Sequence, residues 1–164
     1  ISTICTYGNH EELELLLGSL SIHHPGIKVY IFSDKQTKKY MKASVVPLKL
    51  EIIWSCCLDN YSGANRLLLE SQNKWSDFMS KKFDVIAYAL HSSADTLFLD
   101  SDQIIIGKIE LPSENKLLGL SRQDIPFKNR EETGYFNGGF VWTGDKEMPE
   151  KWRRHTIGTR YFEQ

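Results

Sequence analysis

Two rhythms of apolar and polar residues alternate along this chain, one of period two and one of period three to four. Residues 1–6 read as a first strand. Asn9 then offers a helix cap, with Glu12 three residues on completing a capping-box-like arrangement. Leu13, Leu16, Leu17 and Leu20 follow at i, i+3, i+4 and i+7, which is one apolar face of a helix. His24, Pro25 and Gly26 break it. Residues 27–32 are β-branched and aromatic and predict a second strand. Ser33 or Asp34 can cap a short helix running to about Met41. Leu48, Leu50, Ile52 and Trp54 alternate with other residues and predict a third strand.

Polar and small residues over 55–63 predict a loop. Helical spacing resumes near Arg66 and again over 75–90, where Phe78, Met79, Phe83, Ile86, Ala87 and Leu90 are expected to form the buried face. Residues 96–99 are a short strand with no charged position, as in the middle of a sheet covered on both sides. Further strands are expected at 104–106, 117–120 and 136–143. Pro149 and Glu150 open a last helix containing Trp152. Strands alternating with helices predict an α/β sandwich around a mainly parallel sheet. In such sheets ligands bind at the carboxyl ends of the strands. That directs attention to residues 6–9, 33–35 and 100–103 and to the region of Asn137.

At the end of the apolar strand stand Asp100, Ser101 and Asp102. Residues two apart in an extended segment point the same way. Two hard oxygen donors on one side suit Mg²⁺ or Mn²⁺ held together with a diphosphate, and carboxylates crowded at a buried edge repel unless a cation joins them. An ordinary turn after a strand is the alternative. The second signal is G-Y-F-N-G-G-F over 134–140. Glycines inside a strand mark the close approach of a ligand or of another backbone, or else a bulge or hairpin turn built on Asn-Gly.

Together these motifs resemble the GT-A glycosyltransferases: an apolar strand ending in D-S-D, a later F-N-G-G-F, and an opening T-Y-G-N-H-E-E then Y-I-F-S-D-K-Q-T. The resemblance runs from residue 1 to about 145 and implies a Rossmann-like α/β/α sandwich that binds a nucleotide diphosphosugar. It further implies that Asp102 binds a divalent metal, Mn²⁺ or Mg²⁺, and that Asp100 contacts the metal or the ribose, with Ser101 between them. Thr6 and Tyr7 would meet the base and ribose, although Tyr7 also fits a core aromatic. Asp34 would hydrogen-bond the nucleotide, or serve only as a helix cap. Asn137 and the Gly138 backbone would face the donor sugar. A cation often precedes the D-x-D strand in this family. Lys82 shares a face with Met79, Phe83 and Ile86, so it should point inward toward a phosphate or snorkel, whereas Lys81 should point outward. Arg66 is a second candidate for the diphosphate.

The implied reaction is metal-dependent transfer of a sugar, with UDP-sugars the default donors, to a carbohydrate or other hydroxyl acceptor. Asp124, Glu131 and Glu132 are candidates for a carboxylate base. A third metal ligand is common further along in the family. His155 is the histidine in that region and is expected at the surface. The acceptor side of this single domain, residues 1–164, is therefore expected to be incomplete. His23, His24 and His91 show no ligand spacing, and the tryptophans read as packing, with Trp142 able to line a sugar site.

Composition narrows the alternatives. The chain has 164 residues, 41% of them hydrophobic and 25% charged, with a net charge of -1. That suits a globular domain and gives no basic surface for nucleic acid. No run is long and apolar enough for a membrane segment. Cys5, Cys56 and Cys57 are odd in number and lack metal-binding spacing, so no disulfide framework is expected and cytoplasmic surroundings are favoured. An HAD-type phosphatase also carries D-x-D after an apolar strand, but on its first strand and with Thr or Val following; here Gln103 and Ile104 follow. A sugar-phosphate nucleotidyltransferase expects a glycine-rich basic loop after the first strand, which is absent. A non-catalytic nucleotide-sugar-binding or scaffolding domain stays open.

Overall fold

A computed structural model describes residues 1–44, 48–111, 117–122 and 136–156. Among the described residues, six strands form one sheet: β1 (Ser2–Cys5), β2 (Lys28–Ser33), β3 (Glu51–Ser55), β4 (Thr96–Leu99), β5 (Leu118–Arg122) and β6 (Phe136–Thr143). Five α-helices accompany them: α1 (His10–His23), α2 (Lys35–Ala43), α3 (Arg66–Ser71), α4 (Trp75–Ser92) and α5 (Met148–Thr156). The spatial order is β3-β2-β1-β4-β6-β5. The first four strands in that order are parallel, and β6 runs antiparallel to both of its neighbours. None of the described helices is long and apolar enough to cross a membrane.

Successive side chains of a strand face opposite ways, and two cores result. Ile4, Tyr30, Phe32, Phe98 and Val141 pack with Val85, Ile86 and Ala89 of α4 and with Met148 of α5. Cys5, Val29, Ile31, Leu97, Leu99 and Trp142 pack with Leu13, Leu16, Leu17 and Leu20 of α1 and with Met41 of α2. This is the α/β/α sandwich the patterning predicts. β4 is buried along its whole length because β1 and β6 flank it and both cores cover it.

Several expectations need correction. Residues 104–106 form no strand. The Ile105 N–H donates to Ser19 Oγ at 3.0 Å, so a side chain of α1 satisfies it where a neighbouring strand would have. Ile104 and Ile106 point to solvent, with exposures of 58% and 91%. On α4 the buried alanine is Ala89, while Ala87 is exposed. β3 starts at Glu51, later than the alternation suggested. Asn9 precedes α1 but makes no side-chain cap; its Nδ2 donates to Glu12 Oε2 at 2.6 Å, so the pair meets without forming a capping box. The 55–63 loop contains a one-turn 3₁₀ helix, Asp59–Tyr61, that buries Tyr61.

Candidate functional site

The chain builds β1, β2 and β3 outward on one side, then returns through α3 and α4 to place β4 on the other side of β1. The strand order therefore reverses between β1 and β4, where an open α/β sheet leaves a crevice at its carboxyl edge. A cavity of about 510 Å³ lies there. Ile4, Cys5 and Thr6 line it from the end of β1, Asp100, Ser101 and Asp102 from the end of β4, and Met79 and Lys82 from α4. Asn65, Arg66 and Trp75 wall it from the α3–α4 region, and Asn9 and Glu12 from the start of α1.

Asp100 is held by its backbone. Its N–H donates to Gly139 O at 2.9 Å, and its carbonyl accepts the Gln103 N–H at 3.2 Å. The chain thus turns immediately after β4, and the D-x-D segment is a turn rather than the extended segment expected. The turn nevertheless brings Asp100, Ser101 and Asp102 to one cavity wall. The Lys82 ammonium lies 3.1 Å from Asp100 Oδ1, with side-chain exposures of 4% and 32%. It also lies 5.5 Å from the centroid of the Phe98 ring. Lys82 faces inward as its helical position predicted, and Lys81 pairs with Asp84 at 3.2 Å. One point changes: among the described residues, Asp100 already meets a cation of the fold itself, Lys82.

Thr6 lies on the cavity wall and is 5% exposed. The neighbouring Cys5 thiol donates to the carbonyls of Thr6 and Asn9 at 3.2 and 3.3 Å, tying the turn after β1. Burial pushes this thiol up to about 12, against a smaller opposing effect of the Ser101 hydrogen bond.

The remaining expected residues lie elsewhere. The Tyr7 ring does not line the cavity; it stacks on His10 at 4.4 Å and meets Tyr40 edge-on at 6.2 Å. Asp34 is 1% exposed. Its Oδ1 accepts the Thr37 N–H and its Oδ2 the Tyr7 N–H, both at 2.7 Å. Of the two roles open to Asp34, the structure shows the cap, and Asp34 is not among the residues that line the cavity. Asn137 and Gly138 line a second cavity of about 360 Å³, with Leu120, Phe136, Met148 and Trp152 among its walls. They connect to the first cavity through Gly139, whose N–H donates to Asn137 Oδ1 at 2.8 Å. The Asn-Gly-Gly segment is a register shift against β5: Leu120 pairs with Val141 but Ser121 with Asn137. Trp142 is 5% exposed in the core and lines neither cavity. His155 is exposed at the second cavity, and His24 Nε2 accepts the Ile109 N–H at 3.0 Å. Asp124, Glu131 and Glu132 lie outside the described residues.

Sequence reasoning missed Cys5, Glu12, Asn65, Met79 and Trp75 as cavity residues, whereas Asn9 closes the 6–9 stretch to which the strand-end rule pointed. Asn65 carried a signal, since an Asn before a helical run caps it, and its Oδ1 does accept the Leu68 N–H at 2.9 Å. Arg66, the second candidate for the diphosphate, does border the cavity; it pairs with Glu70 at 2.7 Å and lies 5.1 Å from the Trp75 ring.

No protein-family model matches the sequence, and no curated protein matches it. Solved structures do match. The glycosyltransferase GlyE of Streptococcus pneumoniae TIGR4 aligns with a TM-score of 0.62 at 14% identity, covering 99% of this chain and 41% of GlyE. The galactosyltransferase LgtC, in complex with donor and acceptor sugar analogues, gives a TM-score of 0.58 at 17% identity, covering 95% of this chain and 60% of LgtC. Mouse xyloside xylosyltransferase 1 in its apo form gives 0.55 at 15% identity, covering 95% and 70%. This chain has a GT-A fold. It spans about two fifths of GlyE and three fifths of LgtC, and at these identities the likeness is one of fold.

Proposed function

We propose that this GT-A domain binds a nucleotide diphosphosugar, a UDP-sugar by default, for metal-dependent transfer of the sugar to an acceptor hydroxyl. The observation that carries the reading is the Asp100–Ser101–Asp102 turn beside buried Lys82, at the point where the strand order reverses. Carboxylates and an inward lysine on one cavity wall suit a cation and a diphosphate bound together.

The donor set fits Mn²⁺ or Mg²⁺ in part. Among the described residues no three His, Cys, Asp or Glu side chains converge as ligands. Asp100 and Asp102 would therefore hold the metal with diphosphate oxygens completing its shell, as is usual for Mg²⁺. Bound there, the metal would offset the charge of the departing nucleoside diphosphate as a Lewis acid. The chain's own part is positioning and charge. Lys82, held between Asp100 and the Phe98 ring, keeps a positive group at the diphosphate without reorganisation. Arg66 offers a second cation at the same cavity, and Thr6 polar atoms for the nucleotide. Asn137 would present its amide to the donor sugar.

Calorimetric titration of nucleotide diphosphosugars with and without Mn²⁺ tests this, on the wild type and on Asp102→Ala. One donor should bind only with metal, and Asp102→Ala should lose it. If no donor binds in the presence of metal, the transferase reading fails, and phosphatase assays and partner searches come next.

A further inference from the structure

Gly139 lies in β6 opposite the end of β4. Its backbone conformation is not one reserved for glycine, so the absent side chain has to be explained by space. A Cβ at this position would overlap Asp100 Oδ2 and would sit 2.9 Å from Asp100 Cγ and 3.1 Å from Asn137 Oδ1. At Gly8, Gly18 or Gly107 a Cβ would meet nothing within 4 Å. The two backbone polar groups of Gly139 also engage the site: its carbonyl accepts the Asp100 N–H at 2.9 Å and its N–H donates to Asn137 Oδ1 at 2.8 Å.

We propose that Gly139 is a positioning residue of the donor site: its bare Cα lets the Asp100 carboxylate lie against β6 within reach of Lys82, while its N–H fixes Asn137. This rests on the donor-site reading above. The glycine then serves a carboxylate of the chain itself, whereas glycine in a strand could equally have marked approach by a ligand. The Asn137 amide gains a defined orientation as well. With Oδ1 taken by the Gly139 N–H, the Nδ2 group is the end presented to other partners.

The consequence separates site from fold. The atoms a Cβ would strike belong to the end of a side chain, which can rotate, and not to backbone. Alanine at 139 should therefore turn Asp100 away from Lys82 and leave the sheet in place.

The test measures Mn²⁺ binding in the presence of UDP, read from the paramagnetic signal of free Mn²⁺, together with the Tm of each variant. Gly139→Ala should weaken Mn²⁺ about 10–100-fold, the usual cost of disturbing a residue that supports a ligand. In an Asp100→Ala background the same change should cost no more than about twofold, because the group it displaces is gone. Wild-type Mn²⁺ affinity in Gly139→Ala would overturn the proposal, as would an equal loss in both backgrounds. If Gly139→Ala does not fold, Gly139→Ala with Asp100→Ala should fold, and an unfolded double variant would overturn it too. A wild type that binds no Mn²⁺ with UDP would instead remove the donor-site reading on which the proposal stands.

Discussion

Replacing Asp34 by alanine removes two backbone hydrogen bonds at once, and the structure lets the cost be worked out. The bond from the Thr37 N–H, 2.7 Å long, caps α2. Caps of this kind contribute about 1 kcal/mol. The bond from the Tyr7 N–H, also 2.7 Å, ties the turn after β1 to the start of α2. A hydrogen bond to a charged acceptor contributes about 1.5–3 kcal/mol. With the side chain 1% exposed, water does not readily replace either bond. Asp34→Ala should therefore cost roughly 3 kcal/mol, or about 6–12 °C in Tm for a chain of this size.

Asp34→Ser separates the two contributions, because serine can still cap Thr37 but is too short to reach Tyr7. Its cost should be smaller than that of alanine by about 1 kcal/mol. The assay is equilibrium unfolding in urea at pH 7, followed by tryptophan fluorescence and read at constant m. Donor affinity of the folded Ser variant is measured in parallel and should stay within a few-fold of wild type. Two results would refute this account. Asp34→Ala within about 0.5 kcal/mol of wild type, the range of an ordinary surface change, would mean that the bonds carry nothing. Asp34→Ser with wild-type stability and abolished donor binding would return Asp34 to the nucleotide.

Lys82→Met should lower stability by only about 1–2 kcal/mol, because the lysine stem is already buried and Asp100 keeps a third of its exposure. The same variant should lose UDP binding in calorimetry, and retained affinity would remove Lys82 from the diphosphate site. The buried Cys5 thiol should resist iodoacetamide at pH 8 in the native protein, whereas exposed Cys57 should react; peptide mass spectrometry reads both. Burial raises the folded Cys5 pKa from 9.0 to about 12, so the unfolded chain loses its proton first as pH rises. The stability this thiol contributes is complete below about pH 9 and declines toward about pH 12. Cys5→Ala should show a shallower alkaline decline, and an unchanged slope would contradict the burial.

Much of the fold could be read from periodicity because several elements have one clear environment each. The leucines of α1 face a single core, and β4 has a core on each side, so the helix shows as a stripe and the strand as an uninterrupted apolar run. Reading failed where a tertiary partner decided the outcome. The three successive isoleucines at 104–106 fit a strand, yet a strand needs a neighbour, and Ser19 of α1 satisfies the Ile105 N–H instead. The site divided in the same way. Asp100, Asp102 and Lys82 were legible because charge at the end of an apolar strand or on an apolar helical stripe is costly and stands out. Glu12 and Trp75 reach the cavity only through how α1 and α4 pack, and nothing in their spacing signals that.

The Lys82–Asp100 pair also bears on why the site is built as it is. A buried ion pair is weak evidence for stability, since desolvating two charges offsets much of their attraction, and apolar residues of similar volume often do as well or better. Met79, Phe83 and Ile86 show that this face of α4 otherwise takes apolar residues. A chain shaped for stability alone could continue that stripe through position 82 and close β4 without acids. This chain instead keeps a 4% exposed ammonium against a carboxylate that a neighbouring Cβ would displace. Both groups face a cavity where the sheet reverses its order. Stability gives little reason for that arrangement, whereas an anionic ligand and its cation give one. The pair therefore argues for a ligand more strongly than either residue does alone, and Lys82→Met separates the two explanations by moving binding further than it moves folding.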